Sequence, residues 1–131
     1  MMASRGSYAQ NGHITNIEYT TIDVTTSGVK ILQGVGKIHS LPDYSYTPNS
    51  IYAKLKKSGT LLAMRFYDSL GKVTFEIAYH PEPIINNGLR TEIVHYHEYN
   101  GLVRSPAKLL TKELKGKYAI YLKEFDLYDK C

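Results

Sequence analysis

Residues 50–80 read SIYAKLKKSGTLLAMRFYDSLGKVTFEIAYH, and this stretch decides the fold. Within it, apolar and polar side chains alternate in three short runs, which are separated by turn-forming sequences at residues 57–59 and 68–71. Alternation with a period of two is typical of strands that bury one face. The pattern therefore predicts three antiparallel strands in a meander, with Gly71 free to adopt a positive φ in the second turn.

Further strands are predicted on both sides of this meander. Residues 92–99 (EIVHYHEY) alternate in the same way and predict a fourth strand. Residues 14–24 and 29–32 are rich in β-branched residues and flank a Ser-Gly step, which is typical of a β-hairpin. Between the hairpin and the meander, residues 41–49 (LPDYSYTPN) contain two prolines and predict a loop that its tyrosines anchor.

The C-terminal part of the chain changes to a helical period. Ser105 and Pro106 are typical of a helix start with proline at the first helical position, and Thr111 can cap a second helical stretch. Apolar residues with helical spacing form a single stripe: Leu110, Leu114, Tyr118, Tyr121, Leu122 and Phe125. We expect this stripe to cover the apolar face of the sheet, because that face has to be buried against another element.

Together these patterns predict an α+β fold. The expected architecture is an antiparallel β-sheet, built from a meander of four or more strands and an N-terminal β-hairpin, with a C-terminal helix packed on one face. We expect residues 1–12 to be a flexible tail and residues 13–131 to be a single α+β domain.

Composition excludes several functional classes. The chain has 131 residues, of which 43% are hydrophobic and 21% charged, as in ordinary globular domains. Its apolar runs are too short for a transmembrane helix, and residues 1–12 lack the apolar stretch of a signal peptide. Cys131 is the sole cysteine, which excludes an intramolecular disulfide and a thiolate metal cluster. The formal net charge of +4 favours polyanionic partners such as RNA.

Alternation along the strands also predicts the composition of both sheet faces. Six apolar residues are expected to face the helix: Leu62, Met64, Phe66, Val73, Phe75 and Ile77. The opposite, open face then receives a set of polar residues: Lys54, Arg65, Tyr67, Glu76 and His80. In the fourth strand, Val94 and Tyr96 are the core candidates, which sends His95 and His97 to the open face as well.

Such a face suits the cleavage of RNA without a metal ion. A base removes the 2′-hydroxyl proton, an acid protonates the leaving 5′-oxygen, and cations stabilise charge on the phosphate. Histidine can serve as acid or base near neutral pH, and arginine can bind a phosphate through two hydrogen bonds. We therefore predict four catalytic residues, His95, His97, His80 and Arg65. The predicted substrate-binding residues are Lys54, Tyr67, Arg90 and Arg104.

Other interpretations of the same residues stay open at this point. His95 and His97 form half of a zinc or non-haem iron site, to which His80 or Glu98 would add a ligand. A tyrosine-rich sheet and a basic C-terminal segment also fit a non-catalytic module that binds RNA or a protein. Arg65 and Glu76 fit a cross-strand ion pair. The two remaining histidines, His13 and His39, are expected to be structural.

Several short motifs resemble the C-terminal toxin domains of bacterial polymorphic toxins. They are RFYD at residues 65–68, GK at 71–72, YHPEP at 79–83, HYH at 95–97 and RSP at 104–106. A hairpin of this kind, followed by a strand that ends in histidine and a later His-x-His strand, is similar to ribonucleases of the barnase, EndoU, colicin and RelE type. The positions that match this pattern are Arg65, His80, His95 and His97.

The resemblance implies a ribonuclease that needs no metal or other cofactor. It also implies secretion as part of a larger effector and action in the cytoplasm of a target bacterial cell. The implied partners are an RNA substrate and a cognate immunity protein, and the free domain is expected to be a monomer.

Overall fold

The computed structural model describes residues 2–3, 18–36 and 40–131. The expectations for His13 and His39, and those for most of the tail at residues 1–12, lie outside these ranges. The described strands are β1 (Met2–Ala3), β2 (Tyr19–Val24), β3 (Lys30–Gly34), β4 (Ile51–Leu55), β5 (Leu61–Tyr67), β6 (Val73–Pro81), β7 (Glu92–Asn100) and β8 (Val103–Arg104).

These strands lie side by side in chain order, as in an extended meander. All neighbouring pairs are antiparallel except β3 and β4, which run parallel with Lys30 opposite Tyr52 and Ile31 opposite Ala53. The parallel pair requires the chain to cross the sheet between β3 and β4, and the predicted loop at residues 41–49 lies in this crossing. The predicted α+β class, the N-terminal hairpin and the meander are confirmed.

Two short helices replace the single predicted C-terminal helix. They are α1 (Lys112–Lys117) and α2 (Ala119–Glu124), and they meet at Tyr118, whose backbone (φ −104°, ψ 16°) leaves the helical region. Thr111 caps α1 as predicted, because its hydroxyl oxygen accepts the Leu114 N–H at 3.1 Å. No helix in the described part of the chain is long and apolar enough to cross a membrane.

The helix start predicted at Ser105 and Pro106 is wrong. This segment is extended, and Tyr96 of β7 exchanges two backbone hydrogen bonds with Lys108, at 2.9 and 3.0 Å. Pairing with β7 satisfies backbone groups that a helix would otherwise have to satisfy internally. The segment therefore extends the sheet edge beyond β8 and does not join the helical layer.

The helices cover one face of the sheet, and the larger hydrophobic core lies between the helices and the sheet. This helix-side core contains Val29, Ile31, Ala53, Leu61, Met64, Phe75, Ile77, Val94, Tyr96, Leu122 and Leu127. The other residues of the predicted helical stripe pack against it: Leu110, Leu114, Tyr118, Tyr121 and Phe125. The predicted stripe and the placement of Val94 and Tyr96 in the core are therefore confirmed.

The opposite face is covered as well, which corrects the expectation of an open polar face. A second hydrophobic cluster lies there, formed by Tyr19, Leu32, Leu41, Tyr52, Tyr67 and Val73. Val73 was expected on the helix side. A β-bulge between Phe66 and Tyr67 changes the register, so that Val73 pairs with Tyr67 and turns to the second face.

The loop at residues 41–49 packs on this second face, and its most deeply buried residues are not its tyrosines. Tyr44 and Tyr46 are 50% and 48% exposed. The buried residues of the loop are Leu41, Pro42 and Ser45, and the Ser45 hydroxyl lies 2.7 Å from the Tyr52 hydroxyl. Leu41, Pro42 and Ser45 therefore pack against the sheet, while the side chains of Tyr44 and Tyr46 stay half exposed.

Candidate functional site

Strand register brings the three described histidines onto one face of the sheet. Ala78 of β6 lies opposite His95 of β7, and Glu76 lies opposite His97. His80 lies two residues beyond Ala78 and therefore shares this face. The rings of His80 and His95 meet edge to face at 4.6 Å between centroids, and those of His95 and His97 meet at 5.3 Å. The predicted grouping of these histidines is confirmed.

Their predicted exposure is wrong for two of the three. His95 is 0% exposed and His97 is 2% exposed, while His80 is half-buried. The segments that follow β6 and β8 lie beside the histidines, and the Ser105 carbonyl contacts the His97 ring directly. Alternation alone could not predict this burial, because it identifies the face but not what covers it.

Backbone carbonyls determine the tautomers of these rings. The Nδ1 atoms of His95 and His97 each lie 2.8 Å from a carbonyl oxygen, that of Ile93 and Ser105 respectively, and His80 Nδ1 lies 3.0 Å from the Pro81 carbonyl. Because a carbonyl oxygen only accepts, each Nδ1 must be the donor. A neutral ring then carries its lone pair on Nε2.

The Nε2 atoms of His95 and His97 are buried and have no hydrogen-bond partner among the described residues. Burial also lowers the pKa of His95, which favours the neutral ring. Buried polar atoms are nearly always satisfied, and an unsatisfied one calls for an explanation such as a catalytic role or a bound ion. Two adjacent unsatisfied acceptors therefore make this part of the β6–β7 pair the strongest candidate site in the described part of the chain.

A cavity of about 380 Å³ opens beside the histidines. Its wall combines charged, polar and apolar groups: Glu82, Ile84, Ile85, His97, Arg104, Ser105, Pro106 and Ala107. Glu82 follows β6 directly and precedes a 3-10 helix (Pro83–Ile85), and its Oε1 lies 3.8 Å from His95 Nε2. The cavity thus places a carboxylate, an imidazole and a guanidinium around one space.

Glu76 connects this cavity to the interior of the sheet. Its Oε1 accepts from Arg65 Nε at 2.8 Å and from the Tyr99 hydroxyl at 3.2 Å, while its Oε2 lies 3.8 Å from Arg104 Nη1. The Glu76 side chain is 4% exposed and that of Arg104 is 49% exposed. The buried Glu76 carboxylate therefore holds Arg104 at the cavity, while the half-exposed Arg104 guanidinium stays accessible to an anion.

Arg65 and Tyr67 contact the loop on the second face. Arg65 Nη1 donates to the Leu41 carbonyl at 2.9 Å and lies 3.2 Å from Asp43 Oδ1, and the Tyr67 hydroxyl donates to the Pro42 carbonyl. Burial alone would lower the pKa of Arg65, but the hydrogen bond and charge of Glu76 outweigh it and raise that pKa. Both side chains thus hold the loop against the sheet.

The remaining predicted site residues lie outside the cavity wall. Lys54 is half-buried on β4, where it pairs with Ala63 of β5, and Arg90 is exposed in the turn that precedes β7. Of the eight predicted site residues, His97 and Arg104 line the cavity, whereas His80 and His95 lie outside its wall and are connected to His97 through ring contacts. The structure separates Lys54, Tyr67 and Arg90 from the cavity wall and places Arg65 beneath it.

Sequence reasoning missed Glu82 and Ser105. Glu82 lies two residues after His80, so the strand period would have placed both on the same face. The prolines at positions 81 and 83 instead indicated the end of the sheet. Ser105 fits a helix start by its sequence, yet its carbonyl and hydroxyl contact β7 at His97 and Glu98.

Comparisons with models of protein families, with curated proteins and with solved structures found no match to this chain.

Proposed function

We propose that this domain cleaves RNA by metal-independent phosphodiester transfer at the cavity beside β6 and β7. The observation that carries the proposal is the cavity wall itself, where Glu82, His97 and Arg104 surround one space and an unsatisfied imidazole acceptor lies at its edge. These are the residue types that this chemistry requires.

In the proposed reaction, the Nε2 lone pair of His97 accepts the proton of a ribose 2′-hydroxyl. The 2′-oxygen then forms a bond to phosphorus while the bond between phosphorus and the 5′-oxygen breaks. The leaving 5′-oxygen takes the Nε2 proton of the imidazolium form of His80, which is the candidate general acid and becomes the neutral ring. The products are a 2′,3′-cyclic phosphate and a free 5′-hydroxyl, so atoms and protons balance.

Arg104 and Glu82 are given supporting functions in this scheme. The half-exposed Arg104 guanidinium would bind the non-bridging phosphate oxygens and stabilise the charge that develops on them. The Glu82 carboxylate, whose Oε1 lies 3.8 Å from His95 Nε2, would stabilise a protonated ring in this group of histidines. Because the Nε2 atom of His97 is buried in the free protein, RNA binding must displace part of its cover. Arg65 is proposed as a positioning residue that acts through Glu76.

The biological setting is proposed from the motif resemblance alone. It comprises delivery as part of a larger secreted effector, action in the cytoplasm of a target bacterium, and inhibition by a cognate immunity protein. The formal charge of +4 is consistent with an RNA substrate and with an acidic inhibitor.

The test is incubation of the purified domain with total bacterial RNA in the presence of EDTA, followed by gel analysis. We expect the wild type to cleave, and His97→Ala to cleave at least about 100-fold more slowly, as is typical for loss of a general base. Lys112→Ala removes an exposed cation on α1, away from the cavity wall, and serves as the matched control with unchanged cleavage. Near-ultraviolet circular dichroism verifies that each variant is folded.

Undiminished cleavage by folded His97→Ala would overturn the assigned role of this histidine. RNA that is bound by the wild type but never cleaved would overturn the nuclease proposal and favour the binding-module interpretation. Salt-dependent RNA binding without cleavage products would support the binding-module interpretation.

A further inference from the structure

We infer that His80, Glu82 and His95 form a binding site for a single divalent transition-metal ion of the zinc class. One ligand atom from each of these residues lies within 4.8 Å of the others. Metal binding by this set can be measured without RNA or cleavage, although His80 and Glu82 also have roles in the proposed function.

The spacing is close to what a tetrahedral ion needs. Bond lengths near 2.1 Å place tetrahedral ligand atoms about 3.4 Å from one another. His95 Nε2 and Glu82 Oε1 are already 3.8 Å apart. His80 is half-buried and Glu82 is in the segment after β6, so both can move by the small distance required. The existing arrangement is therefore nearly preformed for an ion.

The hydrogen bonds of both histidines match those of metal ligands. Metal-ligating histidines typically donate one ring N–H to a carbonyl or carboxylate, which orients the ring and leaves the other nitrogen for the ion. His80 and His95 donate in this way to the Pro81 and Ile93 carbonyls. The backbone thus holds both rings in the form that coordinates a cation.

The buried Nε2 of His95 independently indicates a cation-binding position. This side chain is 0% exposed, and its Nε2 has no hydrogen-bond partner among the described residues although it points to within 3.8 Å of Glu82. The Nε2 atom of a neutral imidazole and a carboxylate oxygen both accept hydrogen bonds, so they cannot hydrogen-bond to each other. A cation between the two would satisfy both groups at once.

The donor set also indicates the class of ion. Two imidazole nitrogens and one carboxylate suit zinc, iron(II), nickel, cobalt or copper, whereas magnesium and calcium prefer oxygen ligands. Three protein ligands leave a coordination position for water or an anion. Because the ion would bind His80, the proposed general acid, as well as Glu82 in the cavity wall, it should slow the proposed cleavage, a consequence that rests on the proposed function.

The test is titration of the protein with zinc after removal of metals by EDTA dialysis, with a chromophoric chelator as competitor. We expect one equivalent to bind, with a rise in melting temperature that magnesium does not produce. Glu82→Gln and His80→Ala should each weaken zinc binding by at least about tenfold. Glu98→Gln is the matched control with unchanged affinity, because this exposed carboxylate pairs with Lys108 at 3.5 Å and lies outside the cluster.

Failure of the wild type to bind stoichiometric zinc would overturn the inference, as would equal zinc affinities for folded Glu82→Gln and Glu98→Gln. His80→Ala alters only a half-buried ring at the end of β6 and keeps the test valid if Glu82→Gln fails to fold. Because binding is measured without RNA, a negative result here leaves the cleavage assay unaffected, and the reverse also holds.

Discussion

Replacement of Gly71 by alanine should destabilise the domain by about 2 to 5 kcal/mol. Gly71 has a φ of 78°, a conformation that costs other residues about 1 to 2 kcal/mol. A Cβ atom at this position would lie 1.7 Å from the backbone oxygen of Ser45, far inside the 3.4 Å at which ordinary contact begins. Forcing extra volume into packed structure costs a further 1 to 3 kcal/mol, approximately.

The clash matters because it falls on the contact that holds the loop to the sheet. The Ser45 N–H donates to the Gly71 carbonyl at 2.7 Å, and the Ser45 side chain is buried against Ser50 and Tyr52. An alanine at position 71 therefore has to push the loop away from the second face. Backbone cannot swing aside as a flexible side chain would.

Gly59→Ala is the matched control for this prediction. Gly59 has a φ of 91° in the preceding hairpin turn, yet a Cβ atom there meets no atom within 4 Å. Gly59→Ala should therefore lower the free energy of unfolding only by the cost of a positive φ, about 1 to 2 kcal/mol. Urea unfolding of both variants, analysed with the m-value of the wild type, measures the difference. Equal destabilisation by the two substitutions would refute the packing of the loop on the sheet as described.

Two further predictions concern buried and partly buried carboxylates. Glu76→Gln leaves the Arg65 guanidinium without its buried partner and should cost about 3 kcal/mol in urea unfolding, whereas the exposed Glu98→Gln should cost less than about 0.5 kcal/mol; equal costs would contradict the buried pair. Burial raises the pKa of Glu124, but hydrogen bonds from Ser27 outweigh it and lower that pKa, so this carboxylate stabilises the fold at neutral pH and loses its effect as pH falls through the lowered pKa. The melting-temperature difference between wild type and Glu124→Gln should therefore be largest at pH 7 and shrink below about pH 4, and a constant difference would contradict the contact.

Local sequence patterns predicted individual strands and helix caps better than they predicted which elements pair with one another. The alternation around Met64 and Phe75 and the cap at Thr111 depend on neighbouring residues, and both are confirmed. The parallel pairing of β3 with β4 and the extended segment that pairs Lys108 with Tyr96 depend on contacts between distant residues. A sequence pattern carries no direct signal for such contacts.

One extra residue in the β5–β6 pair is enough to reverse the face that alternation predicts for Val73. The bulge in the β5–β6 pair moves Val73 to the face opposite Phe75, although both fit the same alternation. Alternation counts residues and cannot show where a strand gains an unpaired one.

The candidate site was predictable as a group of residues but not as an environment. Strand period placed His80, His95 and His97 on one face without any tertiary information. Their burial, and the carboxylate of Glu82 beside them, come from segments that fold back after β6 and β8. Prolines flank Glu82 and predict the end of the sheet there, so alternation was not extended from His80 to Glu82.

The most direct test of the central claim is mass spectrometry of the fragments that the domain produces from a short RNA oligonucleotide in EDTA. The proposed chemistry predicts fragments that end in a 2′,3′-cyclic phosphate, paired with fragments that begin with a 5′-hydroxyl, and no cleavage when every 2′-hydroxyl is methylated. Fragments with 5′-phosphates, cleavage of the methylated oligonucleotide, or an intact unmodified oligonucleotide would contradict it.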